Sequence, residues 1–574
     1  MAIEICAYAN IDETTVVWRM SGRIPGCLGF SLARELLDAN GRELVPKRVD
    51  VIDNWVGFAD DPAAQSGAHK PSTVWPVQRF MWSDFFVPDG AQQAKYQVCP
   101  MLGTPAAPTF GEPSPWSAPV RLGTGQTPGL RAYFNRGVVS SQWVARALAE
   151  PGKDTPTALL DHSIATSGDP LREELGGHLL VQVLAELKAA NAAGQEIYAA
   201  LYELNDPEVI AAIEAFGKRC HLILGSGAYK PAKNGAPAVP DENAAVRSQL
   251  RPVVDLVDRI VASPHFAHNK FIVFCDGAGK PRGIQTGSTN LTVTGLCTQV
   301  NNALLVDDPV IAQTYLDRWQ DLKKAGNAYP AWLAQHGSTP GRSGIDGGVS
   351  MTAWQAPVQN FVDLADARKL IQGARQGVLF LFFNPGTQGT LLNDILALDH
   401  VKLFIHGVVN ADPGGKSKPI LSMYDRGTEV DADPEVTLPD RLDEALSKWF
   451  DDEERGKMVT IHSKVVVVDP FGSHPVVMTG SHNLGPKASS KNDDNLLIVE
   501  NAPGLAYEYA VNIMSVFEHF KYRHTLHQSQ SGAQPWPGLK ADDSWQDHFF
   551  AGPNFDPSRK RELDFWFGDL VPGA

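Results

Sequence analysis

The sequence predicts an α/β protein made of two related lobes and preceded by an all-β sandwich. Three observations carry this reading. Short strands punctuated by turn residues run to about residue 125; apolar strands alternating with amphipathic helices follow from about residue 130; and the same order of elements, with the same polar motifs, returns in the C-terminal half.

In the first region the candidate strands are 4–9, 15–20, 49–56, 78–86 and 95–101, separated by Gly, Pro, Asn and Asp and followed by a Pro-rich exit over 105–119. Strands this short, at this spacing, suit an antiparallel sandwich. The stretches 82–88, Tyr96-Gln97-Val98 and Trp116-Ser117-Ala118-Pro119 resemble a fibronectin type III domain, which implies a fold and no chemistry.

Beyond it, 176–190 places Leu179, Leu180, Val183, Leu184 and Leu187 on one helical face. A buried strand at 197–201, a helix at 207–216 and a second strand at 220–224 follow. Continuous apolar runs joined by helices predict a sheet covered on both faces. The order then repeats: strand 378–383, helix 391–398, strand 401–407. His268-Asn269-Lys270 opens the apolar run 271–274, and His462-Ser463-Lys464 opens 465–468. Gly287-Ser288-Thr289-Asn290 answers to Gly480-Ser481-His482-Asn483, and 301–306 answers to 494–499. Each copy closes on a long amphipathic helix, 309–323 and 505–522. A Gly/Ser/Pro-rich linker, 326–348, separates the copies. The expected parts are a sandwich at 1–125, lobes at 126–345 and 346–530, and an aromatic-rich strap or lid at 531–574.

The chain has 574 residues, 43% hydrophobic and 20% charged, with 50 Lys+Arg against 65 Asp+Glu and a formal net charge of −15. A net-negative surface disfavours wholesale wrapping of nucleic acid or docking on anionic lipid, and leaves room for a local basic pocket. No run approaches the ~18 apolar residues of a membrane span, and the N-terminus lacks the basic-then-apolar pattern of a signal peptide. The expectation is a cytoplasmic, monomeric protein without stable membrane insertion. Cys6, Cys27, Cys99, Cys220, Cys275 and Cys297 lack C-x-x-C pairs and read as reduced thiols.

In H-x-K at the start of a strand, the period of two puts imidazole and ammonium on one face. G-S-x-N adds a hydroxyl and an amide from a tight turn. Two such copies facing each other place two His and two Lys around one pocket. That is a site for a single phosphodiester, with no carboxylate cluster to hold a metal and no cofactor implied.

These residues resemble the phospholipase D superfamily, whose signature is H-x-K-x4-D followed by G-S-x-N, over roughly 130–525. The second copy matches throughout at His462, Lys464, Asp469, Gly480, Ser481 and Asn483. The first matches at His268, Lys270, Gly287, Ser288 and Asn290, but Cys275 stands in the Asp position and Asp276 comes one place late. The resemblance implies a metal-independent phosphodiesterase acting by double displacement through a phosphohistidine. Phospholipid or a similar phosphodiester is the substrate, and hydrolysis or transphosphatidylation the outcome. Lys270, Lys464, Asn290 and Asn483 would hold the nonbridging oxygens, with Ser288, Ser481 and Asp469 in support. In many relatives an acidic residue just before an Asn accepts a hydrogen bond from the imidazole. Asp494 fills that place in the second copy and Asn301 in the first. A carboxylate beside His462 would raise its pKa and suit it as general acid, leaving His268 as nucleophile.

Two other readings compete: a nuclease or DNA-end-processing phosphodiesterase of the same superfamily, and a non-catalytic scaffold. Asp469 reads equally as structural or catalytic, and Cys275 as a buried thiol. His482 reads as a pocket or surface-turn residue, His265 as a loop residue. Lys487 and Lys491 read as a solvated loop or a basic rim. The tail aromatics Trp536, Trp545, Phe549, Phe550, Phe555, Phe565, Trp566 and Phe567 read as a strap over the lobes or an apolar lid.

Overall fold

A computed structural model describes residues 2–64, 68–85, 91–137, 156–228, 240–345, 347–411, 413–414, 435–437, 461–530 and 538–570. The chain is mixed α/β with an all-β N-terminal region, as the sequence predicts.

The N-terminal region has a three-stranded sheet, with Thr14–Met20 between Ile3–Ala9 and Met81–Asp84, and a five-stranded sheet centred on Cys27–Leu37 and Gln93–Thr104. Trp18, Phe30, Phe80 and Tyr96 fill the space between the sheets. Cys27–Leu37 is a central strand that the turn-and-strand reading passes over. Its Leu28, Leu32 and Leu36 recur every four residues as on a helix, but the residues between them are buried too, so it is covered on both faces. The expected strand 49–56 is only Val49–Val51 and Asp53–Asn54. Of the expected 78–86, Met81–Asp84 is strand and Phe86 lies outside the described residues.

The first lobe's sheet runs in the order Leu130–Phe134, Asn302–Val306, Pro281–Gly287, Lys270–Cys275, Glu196–Leu201, Cys220–Leu224, Asp255–Asp258. The second lobe repeats it as Val349–Ala356, Asp494–Glu500, Val476–Gly480, Val465–Val468, Gly377–Phe382, Phe404–Val409, Glu435–Thr437. One difference is informative. The expected linker 326–348 holds a helix, Ala331–Gly337, and a strand, Gly341–Ile345, which pairs along Val349–Ala356 as an extra edge.

Period-two alternation assigns each strand two duties. Phe271, Val273, Val465 and Val467 enter one core shared by both lobes. Ile272 and Phe274 face the first lobe's outer helices, and Val466 and Val468 face the second's. The closing helices Pro309–Ala325 and Pro503–Gln530 contribute to the shared core, the second through residues from Leu505 to Phe520. The first has clear sequence stops: Asp308 accepts from the N–H groups of Val310 and Ile311, Pro309 starts the helix, and Gly326, at φ 58°, ends it.

The described tail packs on both the sandwich and the lobes. Trp545 enters the sandwich core and donates from Nε1 to the Cys27 carbonyl at 2.8 Å. Phe565 and Trp566 join the shared core, and Tyr8 donates to the Trp566 carbonyl. Trp536 lies outside the described residues.

Candidate active site

Each H-x-K stands where its strand enters the lobe interface, and each G-S-x-N follows the neighbouring strand. The glycines have a steric cause. Gly287 and Gly480 sit at φ 141° and 144°, and a Cβ there would lie 2.3 Å from the carbonyl oxygen of Asn302 and of Asn495. Only glycine lets the adjacent backbone come this close. The turn delivers Ser288, whose hydroxyl donates to Asn301 Oδ1 at 2.7 Å and accepts from the Asn302 N–H. Ser481 does the same with Asp494 Oδ1 at 2.7 Å and the Asn495 N–H.

The lobes then exchange partners. His268 Nδ1 lies 2.7 Å from Asp494 Oδ1, and His462 Nδ1 lies 2.9 Å from Asn301 Oδ1. Behind them, Asn302 Nδ2 donates to Thr479 Oγ1, and Thr286 Oγ1 donates to Asn495 Oδ1. Such reciprocal contacts are those of a pseudo-two-fold axis. Arg259 and Asp493, both about 1% exposed and 2.7 Å apart, clamp the same interface.

The expected Asp494–His462 pairing is corrected by this geometry. Within the second lobe, the strand Val476–Gly480 separates Asp494–Glu500 from Val465–Val468. Two strand spacings amount to roughly 10 Å, too far for a hydrogen bond. The opposite lobe's His268 fills the place.

Both imidazoles and both lysines are buried. Lys270 Nζ donates to the His268 carbonyl at 2.8 Å, and Lys464 Nζ to that of His462. Burial, then Lys270, push His268 down to about 4 against the opposing pull of Asp494. Burial, then Lys464 and Lys270, hold His462 well below the ordinary histidine range. Burial lowers Lys270 to about 8, and burial with Lys270 holds Lys464 well below the ordinary lysine range. Burial alone would raise Asp494, but His268 beside it keeps its carboxyl below the usual range. Each His feels the other lobe's Lys, so the two arms share one electrostatic environment. The side-chain Oδ1 atoms of Asn290 and Asn483 are buried without a protein partner among the described residues.

Three neighbours escape the motif reading. The Tyr202 ring lies 4.8 Å from that of His268 and 4.8 Å from Lys270 Nζ. Phe383 repeats this at 4.7 Å from His462 and 4.6 Å from Lys464 Nζ. Each directly follows the strand paired beside H-x-K, so an aromatic just past that strand in both copies was the available signal. Glu203 accepts from Asn290 Nδ2 at 2.7 Å, and nothing in the second copy announces it.

Other candidates have partners of their own. Asp469, at φ 47°, accepts from the N–H groups of Arg375, Gln376 and Gly377 at 2.7–3.1 Å, a structural clasp. Cys275 is fully buried, and Asp276 pairs with Arg282 on the surface. His482 is not an exposed turn residue: it is 1% exposed, its Nδ1 accepts from the Leu484 N–H and its Nε2 lies 3.2 Å from Asp363. His265 stacks on Tyr329, and Lys487 lies over Phe266. Among the described residues no group of three His, Cys, Asp or Glu converges to hold a metal, and no helix is long and apolar enough to cross a membrane.

A duplicated α/β fold that brings both H-x-K arms together at the lobe interface defines the class. Residues 370–520 match the family model described as "Cardiolipin synthase, PLD-like domain". The match falls within the second lobe, and the resemblance to the phospholipase D superfamily is borne out there. No curated protein sequence matches the chain. Among solved structures, it is similar to polyphosphate kinase from Porphyromonas gingivalis (13% identity, TM-score 0.35, 55% of this chain and 42% of that one). It therefore spans less than half of that relative. It is also similar to phosphatidylserine synthase from Haemophilus influenzae Rd KW20 (10%, 0.39, 69% and 94%) and to a mutant of the yeast tyrosyl-DNA phosphodiesterase (11%, 0.31, 56% and 87%).

Proposed function

We propose that the chain is a metal-independent phosphodiesterase of phospholipase D type, acting on phospholipid or a related phosphodiester and complete within one chain. The observation that supports this best is the reciprocal exchange: each imidazole is held at Nδ1 by the opposite lobe, which leaves each Nε2 for substrate. His268 Nε2 attacks phosphorus. A P–N bond forms, the P–O bond to the leaving group breaks, and His462 gives that oxygen its proton. Water or an acceptor alcohol then attacks phosphorus, His462 takes its proton, and the P–N bond breaks. Lys270, Lys464, Asn290 and Asn483 receive the nonbridging oxygens as charge builds. Asp494 faces the nucleophile, where it stabilises the positive phosphoimidazole. Because burial keeps His462 neutral before substrate binds, the anionic substrate itself favours its protonation.

Release of head group from a phosphatidylcholine emulsion, with chelator present, tests the reading. Single-stranded and duplex DNA serve as rival substrates. Rapid quench with an activated phosphodiester should leave an acid-sensitive phosphoryl label on His268, retained in His462→Ala. Turnover of DNA alone favours the nuclease reading; a strict need for added divalent ion, or label on His462, contradicts the mechanism.

A further inference from the structure

One carboxylate in the pocket has no part in the proposed chemistry. Glu203 follows Glu196–Leu201, whose last residue pairs with Lys270, and this register places its side chain against Asn290 of G-S-x-N. In the second lobe Tyr202-Glu203 is answered by Phe383-Asn384, so the carboxylate belongs to one arm only.

An amide nitrogen carries two hydrogens. Giving one to Glu203 at 2.7 Å fixes the plane of the Asn290 side chain, which is 3% exposed and whose Oδ1 has no protein partner among the described residues. The second hydrogen is then the donor for a nonbridging oxygen. Charge complicates the arrangement: a phosphodiester received by that amide brings its negative charge up to the Glu203 carboxylate. The groups facing Glu203 are Glu242, Lys270 and Lys464. Burial and Glu242 push its pKa up to about 7, while the two lysines oppose them. The imidazoles beside those lysines are held low, and burial pushes the Tyr202 hydroxyl far above its ordinary range.

We propose that Glu203 is a positioning residue of this site, orienting the Asn290 amide toward a bound phosphodiester and becoming a neutral carboxylic acid, with a proton drawn from solvent, when that anion binds. This rests on the phosphodiesterase reading of the pocket. The neutral acid still accepts from Asn290 through its carbonyl oxygen, so orientation survives the loss of charge.

Sulfate is a suitable probe because it binds as a tetrahedral anion without being turned over. Infrared difference spectra of the whole protein would be recorded with and without sulfate, about one pH unit above the free-site value. Sulfate should produce one new carbonyl-stretch band of a protonated carboxyl, absent in Glu203→Gln. On bis(p-nitrophenyl) phosphate, Glu203→Gln keeps an acceptor for Asn290 and should hold kcat within about threefold. Glu203→Asp, whose shorter side chain gives up the contact, should lower kcat by about tenfold with KM changed less. Should the Gln variant fail to fold, the Asp variant carries the positioning test alone. Sulfate binding without the band, a band that persists in Glu203→Gln, or an Asp variant with unchanged kcat overturns the proposal. Absence of sulfate binding overturns the anion-pocket reading beneath it, and the proposal with it.

Discussion

His268 and Asp494 are 226 residues apart and belong to different lobes, yet Nδ1 of one lies 2.7 Å from Oδ1 of the other. The matching pair, His462 with Asn301, has an amide where this one has a carboxylate. The site is thus symmetric in backbone and asymmetric in charge, with its carboxylate on the arm proposed as nucleophile.

Asn301→Asp should give His462 the carboxylate that the wild type lacks. An adjacent carboxylate raises an imidazole pKa by about one unit or more, so the basic limb of kcat/KM should move upward. The variant also loses the bond from Asn301 Nδ2 to the Gly295 carbonyl and should melt lower. A basic limb that stays in place contradicts the His462–Asn301 pairing.

The pH optimum of the wild type should lie on the acid side of the ordinary histidine range. Nucleophilic His268 must be neutral and is so above about 4. Acidic His462 must carry a proton, and its lowered pKa means that the protonated fraction is already lost as pH rises toward neutrality. Lys270 loses its charge as pH passes about 8. An alkaline optimum in a pH–rate profile would contradict the burial argument.

His268→Ala and His462→Ala should each remove nearly all turnover, and the double variant should be scarcely worse, because groups that act as a unit are not additive. Half the activity in either single variant would mean two independent sites.

Asp469→Ala should destabilise without reaching the chemistry. Its carboxylate collects three backbone N–H groups, and orphaning them costs on the order of 2–4 kcal/mol. Calorimetry should show a lower Tm, while kcat per folded molecule stays within about threefold. A kcat loss at unchanged Tm would return Asp469 to the site.

Trp545→Ala should separate strap from lid. Removing a buried indole costs about 3–5 kcal/mol, so the melting temperature should fall. KM for long-chain and short-chain phosphodiesters should be equally unaffected; a KM loss confined to long chains would indicate a lid.

Much of the molecule was legible because local chemistry dictates it. The unbroken apolar run Val465–Val468 already marks a strand buried on both faces, Asp308-Pro309 starts a helix, and Gly287 and Gly480 mark where one backbone crowds another. Cys27–Leu37 was not legible, because Leu28, Leu32 and Leu36 recur at helical spacing and Ser31, Arg34 and Glu35 interrupt the apolar run that marks other doubly buried strands.

The sequence by itself determined the duplication, the two H-x-K and G-S-x-N arms and the strands that carry them, since these depend on residue type and short spacing. Only the tertiary structure decided which partner each imidazole has. Asp494 stands in the copy that contains His462, yet an intervening strand keeps them apart within the lobe, while the packing of one lobe against the other brings Asp494 to His268. Glu203 and the aromatic rings of Tyr202 and Phe383 enter the site for the same reason: a hydrogen bond is short, and the fold's strand order and lobe interface set which distant residues come within its reach.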